Sequence, residues 1–118
     1  MMLRIALSSF VGECDNIEYA SIPNPDESYR AVIFQRDCGA TTGFNTQISI
    51  LQFNDDLTDS AGNIFIIDGH PKDVAPTVSW ASENTLIIHH VLDGSEYKSE
   101  RVWGWFGSVT VNYSTSGS

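Results

Sequence analysis

Short segments rich in β-branched and aromatic residues recur along this chain, and glycine, asparagine, aspartate, serine and proline separate them. None of these segments has the apolar spacing that sustains a long amphipathic helix. The pattern therefore predicts a mainly β fold with little helix, in which six to seven mostly antiparallel strands form a meander-type sandwich or a partly open barrel. The predicted strands cover residues 29–35, 46–53, 63–68, 77–81, 85–91, 98–106 and 108–113.

Length and composition fit one domain. The 118 residues are enough for one hydrophobic core and too few for a second independent core. Hydrophobic residues make up 42% of the chain and charged residues 18%, which is a globular composition. We therefore expect a single β-rich domain over residues 1–113, followed by a flexible tail at residues 114–118 that has nothing to bury.

Fifteen acidic residues against six basic ones give a formal net charge of −9 at pH 7. Such a field repels a phosphate backbone, so the charge excludes nucleic acid as a direct partner. The ordinary role of this acidity is solubility. The alternative is an acidic inhibitor that mimics nucleic acid and binds a basic DNA-binding protein, which would require carboxylates spaced along one face.

The first fourteen residues combine a charged start, a short apolar stretch and Cys14, an order similar to that of a bacterial lipoprotein signal. The apolar stretch is at the short limit for a signal, and Glu13 stands where processing needs a small residue. An unprocessed, cytoplasmic chain is therefore favoured. A cell-envelope lipoprotein is the alternative, and the protein would contact a membrane only through a lipidated Cys14.

A polar turn with two glycines lies between the first two clear strands, at residues 36–44. It is longer than a hairpin requires, which makes it a candidate contact region for a partner. The candidate binding residues of this turn are Arg36, Asp37, Cys38, Thr41 and Thr42. In the purely structural alternative, Arg36 and Asp37 form a local salt bridge and the threonine hydroxyls bind turn amides.

Cys38 is also a candidate nucleophile, for which His70, His89 or His90 would have to act as the base. The alternative is a structural cysteine that is buried or bonded to Cys14. Reduced thiols are expected in a cytoplasmic protein, whereas an exported protein would join the two cysteines in a disulfide.

The sequence predicts no metal site and no cofactor. The oxygen-bearing residues Asp55, Asp56, Asp59 and Asn63 suit a hard cation, but their spacing does not match an EF-hand loop. The neighbours His89 and His90 point to opposite faces of a strand, so they cannot chelate one ion from the same side.

Trp103 and Trp105 would share one face of the predicted strand 98–106, close to Tyr97 and Phe106. Two indoles on one face form either a wall of the core or an exposed binding platform. If this strand lies at a sheet edge, Trp103 and Trp105 become candidate binding residues, and a homodimer is the simplest use of such a surface.

Residues 31–51, AVIFQRDCGATTGFNTQISIL, resemble a signature of a family of small uncharacterised bacterial proteins, often lipoprotein-like or carried on mobile gene cassettes. The resemblance extends over most of the chain through Cys14, the Pro25-Asp26 turn, Trp80 and the strand Leu86-Ile87-Ile88. It implies an accessory role without a known activity, and it supplies no catalytic residue. Glu13, before Cys14, departs from the lipoprotein-like pattern.

These observations together favour a non-catalytic domain that binds a protein partner or a small ligand. A thiol-dependent hydrolase or redox protein centred on Cys38 is the first alternative, and the acidic inhibitor is the second.

Overall fold

A computed structural model describes residues 14–39 and 43–114 of the chain. The protein is mainly β, with 51% strand and 7% helix, in two mostly antiparallel sheets and no closed barrel, which confirms the predicted fold class. The described strands are β1 (Asp15–Pro23), β2 (Tyr29–Asp37), β3 (Asn45–Gln52), β4 (Phe65–Asp68), β5 (Thr77–Ser82), β6 (Thr85–His89), β7 (Lys98–Ser99), β8 (Val102–Trp103) and β9 (Val109–Tyr113). One helical turn, α1 (Pro71–Val74), precedes β5, and a 3-10 turn (Trp105–Gly107) precedes β9.

The strand order is β1-β2-β3-β4-β7 in one sheet and β5-β6-β9-β8 in the other. The described pairings are antiparallel except that of β6 with β9. Alternate residues of the strands point between the sheets and form one core, because successive side chains of a strand face opposite ways. Fully buried members include Ile33, Ile48, Leu86, Ile88 and Val109, each at most 3% exposed.

Two polar contacts fasten the sheets to each other at one end of the molecule. Asn24, only 2% exposed, precedes β2 and donates from Nδ2 to the carbonyl of Glu83, in the β5–β6 turn, at 2.8 Å. Trp80 of β5 donates from Nε1 to the carbonyl of Ile22 in β1 at 2.8 Å. Both donors are satisfied at the sheet junction, so these bonds stabilise the sandwich without leaving a buried polar group unpaired.

The outer face of the five-stranded sheet has a small apolar layer of its own. Val32 and Phe34 lie on the side of β2 that faces away from the main core, yet both are 0% exposed. Their neighbours on the same face are Arg30 and Arg36, two residues away on either side. A cover must therefore lie over this face.

Residues 54–62, which we call the strap, provide that cover. Arg30 donates from Nη2 to the carbonyl of Asp55 at 2.8 Å, and Arg36 donates from Nη1 to the carbonyl of Asp59 at 2.7 Å. Near its end, the buried amide of Gly62 donates to Gln47 Oε1 of β3 at 2.7 Å. The polar sequence of residues 54–62 is typical of a surface loop, but these hydrogen bonds attach the strap to the sheet.

The prediction of one continuous strand over residues 98–106 is wrong. Lys98 pairs with Ile66 in the five-stranded sheet, whereas Trp103 pairs with Val109 in the four-stranded sheet. The chain crosses from one sheet to the other between β7 and β8 and then turns at Gly104. Periodicity alone does not distinguish one long strand from two short ones in different sheets.

The predicted flexible tail begins at Ser114, whose amide donates to the carbonyl of Ile88 at 3.0 Å. Residues 115–118 lie outside the described residues.

Candidate functional site

Two aromatic rings stand in solvent on the turn between β8 and β9. Trp105 is 85% exposed and Phe106 is fully exposed (103%), although both are large hydrophobic residues. The turn requires left-handed backbone at Gly104 (φ 90°), Phe106 (φ 56°) and Gly107 (φ 67°). Glycine adopts this conformation without a steric penalty, whereas phenylalanine does not. The backbone at Phe106 is therefore strained. Strained residues of this kind cluster at binding sites.

Short-range contacts close this turn. The amide of Gly107 donates to the carbonyl of Gly104 at 3.1 Å, and Ser108 Oγ donates to the carbonyl of Trp105 at 2.6 Å. A Cβ on Gly104 would lie 3.1 Å from the Ser108 side chain, which is tighter than most real contacts. The conformation that presents the two rings is thus specified by its neighbours as well as by the glycines.

A groove of about 510 Å³ lies beside the turn, and we call it the aromatic groove. Its walls are residues 50–52 at the end of β3, Asp55 of the strap, Asn63 and residues 103–106. Trp103 is half-buried, and its ring meets Tyr29 edge to face with the ring centroids 5.4 Å apart. Trp103 is therefore packed in place, while Trp105 and Phe106 remain open to a partner.

The polar residues of the aromatic groove have different roles. Asn63 is committed to the fold, because its Oδ1 accepts from the amide of Ile50 and its Nδ2 donates to the carbonyl of Ile50, both at 2.9 Å. Asp55 is anchored through its main chain, since its amide donates to the carbonyl of Gln52 at 3.0 Å. The side chains of Asp55 and Gln52 are exposed. Among the described lining residues, Asp55 is the one that carries a carboxylate.

The expectation of reduced thiols is wrong in this structure. Cys14 and Cys38 form a disulfide with their Cα atoms 4.0 Å apart, and the described residues contain no free cysteine. The pairing of β1 with β2 brings the two together, because Asp15 stands opposite Asp37. A sulfur in a disulfide is neither a nucleophile nor a site for lipidation. In this oxidised state, neither Cys38 nor Cys14 has a free thiol.

Other members of the polar turn hold the hairpin in place. Arg36 donates to Asn16 Oδ1 at 2.9 Å as well as to the strap, and it forms no ion pair with Asp37 among the described residues. Asp37 instead accepts from the amide of Gly39 at 3.1 Å. Thr41 and Thr42 lie outside the described residues.

Two of the three histidines are engaged with partners other than Cys38. His70 Nδ1 lies 3.0 Å from Gln35 Oε1, and His89 Nε2 lies 3.1 Å from Ser79 Oγ. His89 Nδ1 is buried and has no hydrogen-bond partner among the described residues. A catalytic triad would also need a group that orients the ring through His89 Nδ1, and the described residues place none there.

The third histidine organises the loop before β7. His90 Nε2 lies 2.7 Å from Glu96 Oε2, and the amides of Asp93 and Gly94 donate to the same carboxylate at 3.0 and 3.1 Å. The hydrogen bond from His90 and these amides lowers the pKa of Glu96 below its ordinary value. His89, the last residue of β6, and His90, just beyond it, have different partners. In the described part of the chain, no group of three or more histidine, cysteine, aspartate or glutamate side chains could hold a metal ion.

The two predicted contact regions lie apart. Cys38 follows β2 at the end where Arg36 pairs with Asn45, whereas the aromatic groove lies at the opposite end, where Tyr29 pairs with Gln52. The structure thus brings Trp103 and Trp105 to one groove without placing the polar turn there. The two tryptophans do not share a strand face, because the 3-10 turn begins at Trp105.

Phe106 is a site residue that sequence reasoning missed. The sequence pattern places Phe106 near Trp103 and Trp105 but does not mark it as a candidate binding residue. Glycines flank it at positions 104 and 107, and such punctuation within an apolar run signals a turn rather than a strand. That signal was present in the sequence and could have placed Trp105 and Phe106 outside the core.

Comparison of the chain with protein-family models, with curated proteins and with solved structures finds no match in any of the three. In the described part of the chain, no helix is both long and apolar enough to cross a membrane.

Proposed function

We propose that this protein is a non-catalytic binding domain and that the aromatic groove is its binding surface. The observation that carries the proposal is the exposure of Trp105 and Phe106 on a turn whose backbone is strained at Phe106. Folding alone gives no reason to hold two large rings in water at such a cost. A partner that covers them supplies one.

The two exposed rings offer a partner a substantial apolar area to bury. Burying two aromatic rings of about 150 Å² each, at about 25 cal/mol per Å², releases roughly 7 kcal/mol before the costs of association. Those costs are of similar size, so specific binding also requires polar contacts at the rim. Asp55 and Gln52 provide such groups beside the rings.

The composition of the aromatic groove supports binding rather than chemistry. Its described lining is aromatic, aliphatic and amide, with the single carboxylate of Asp55. General acid–base or nucleophilic catalysis needs a second reactive group in hydrogen-bond reach. The disulfide between Cys14 and Cys38 also argues against a thiol-dependent hydrolase, which needs a free thiolate.

The disulfide also indicates the redox environment of the domain. Disulfides persist in oxidising compartments and are rare in the reducing cytoplasm. Our proposal therefore places the domain in an oxidising compartment, in place of the cytoplasm that the sequence favoured. Membership of the family of small bacterial proteins and self-association both stay predictions.

An NMR titration tests the binding proposal with three probes. These are a capped pentapeptide of alternating arginine and leucine, the same peptide with glutamine for arginine, and the neutral sugar maltotriose. We expect saturable shifts of the Trp105 indole and of the Gly104 and Gly107 amides with at least one probe. The double variant Trp105→Ala/Phe106→Ala should abolish them.

Tyr97→Ala is the matched control, because Tyr97 is an aromatic residue that is 66% exposed and does not line the aromatic groove. It should leave the titration unchanged. If no probe gives saturable shifts at the turn, or if the double variant binds as the wild type does, the proposed function is wrong.

A further inference from the structure

We infer that the occupant of the aromatic groove is a basic segment of a partner protein, with an arginine or lysine side chain laid against Trp105 and Phe106 and paired with Asp55. This inference rests on the proposed function and names the chemistry of the ligand.

The strap carries exposed carboxylates that form no ion pair among the described residues. Asp55 lines the aromatic groove, Asp56 follows it, and Asp59 lies farther along the strap, all three exposed. The arginines that hold the strap bind main-chain carbonyls rather than these carboxylates. Among the described residues, the only arginine or lysine in an ion pair is Arg30, which pairs with Glu18 at 3.7 Å. The strap thus presents carboxylates to solvent at the aromatic groove and farther along the chain.

The two exposed rings suit a cation. The centroids of Trp105 and Phe106 are 6.5 Å apart and their planes are inclined by 46°. A guanidinium or ammonium set between them lies within the reach of about 6 Å over which ring quadrupoles attract cations. The Asp55 carboxylate adds a charge-assisted partner at the rim.

Charge argues against the other occupants. A second copy of this chain would bring another net charge of −9 and would set Asp55 against Asp55, and like charges across an interface are unfavourable. Anionic ligands meet the same repulsion. A neutral sugar could stack on the rings, but it would gain no ion pair from the exposed carboxylates of the strap. A basic segment uses both features, and the long-range field would also steer its approach.

The three probes above separate this inference from the proposed function. We expect the arginine peptide to bind the aromatic groove about tenfold more tightly than the glutamine peptide and more tightly than maltotriose. Its affinity should fall severalfold between about 50 mM and about 500 mM salt, because the Debye length shrinks from about 14 Å to about 4 Å.

Two variants with the same change in net charge locate the effect. Asp55→Asn should weaken the arginine peptide by about threefold to fivefold. Asp73→Asn should not, because Asp73 lies in α1, which follows the end of β4 that pairs with Asn45, away from the aromatic groove. Neither residue is buried, so both variants should fold.

Saturable binding of maltotriose or the glutamine peptide that equals or exceeds that of the arginine peptide would overturn the inference and leave the proposed function standing. Equal effects of Asp55→Asn and Asp73→Asn would also overturn it, since they would reduce the interaction to net charge. Absence of binding by all three probes would refute both proposals together.

Discussion

Replacing Phe106 with asparagine should stabilise the fold and weaken the aromatic groove at the same time. An L-residue with a side chain in the left-handed region costs roughly 1–2 kcal/mol, and asparagine bears less of this cost because its side chain bonds locally. Removing the ring should cost little packing energy, since Phe106 is fully exposed and its ring centroid lies 6.5 Å from that of Trp105. The net gain in the free energy of unfolding should be about 0.5–1 kcal/mol.

Urea unfolding and thermal unfolding measure this gain. A change of about 1 kcal/mol moves the urea midpoint by roughly 0.5 M and the melting temperature by roughly 4 °C for a domain of this size. Trp105→Asn is the first control: Trp105 does not have positive φ, so this change should give no gain. Glu27→Asn is the second, because Glu27 has φ 57° but lies in the β1–β2 turn; it should stabilise without affecting peptide binding.

A loss of stability in Phe106→Asn, or an equal gain in Trp105→Asn, would refute the reasoning. Either result would mean that the ring of Phe106 packs in the folded state, or that its backbone is not left-handed. The exposed turn would then owe its shape to folding rather than to binding.

Three further predictions concern the fold. Cys14→Ser should lower the free energy of unfolding by about 3 kcal/mol, because the disulfide with Cys38 closes a loop with a sequence separation of 24; urea unfolding with and without reductant measures this, and equal stability in both conditions would contradict it. Gln47→Leu should cost about 1–3 kcal/mol, because the buried amide of Gly62 loses its acceptor, and faster hydrogen exchange at that amide would locate the effect; unchanged exchange would speak against this role. The lowered pKa of Glu96 means that its stabilising contribution is present above its ordinary pKa and is lost as pH falls through the folded-state value. Stability followed by urea unfolding from neutral to acid pH should therefore fall less steeply in Glu96→Gln than in the wild type, and parallel curves would contradict the assignment.

The local sequence pattern was enough to predict a mainly β fold. Val109, Val111 and Tyr113 alternate with polar residues in the sequence, and the structure buries the two valines and half-buries the tyrosine. The antiparallel pairing of β2 with β3 on either side of the polar turn was likewise predicted correctly. These features depend on neighbours within a few residues, and side-chain alternation along a strand follows directly from backbone geometry.

Long-range pairing decided the candidate site. Residues 98–106 have the composition of one strand, but β7 finds its partner in one sheet and β8 in the other, which leaves Trp105 and Phe106 on a turn outside both. The pairing of β1 with β2 brings Cys14 to Cys38, and the arginines of β2 turn a polar connection into the strap. The sequence by itself determined that the fold is mainly β and that the protein is acidic. Which strands pair, and therefore which aromatic residues face water beside which carboxylates, depends on contacts between residues distant in sequence, and only the tertiary structure decides those.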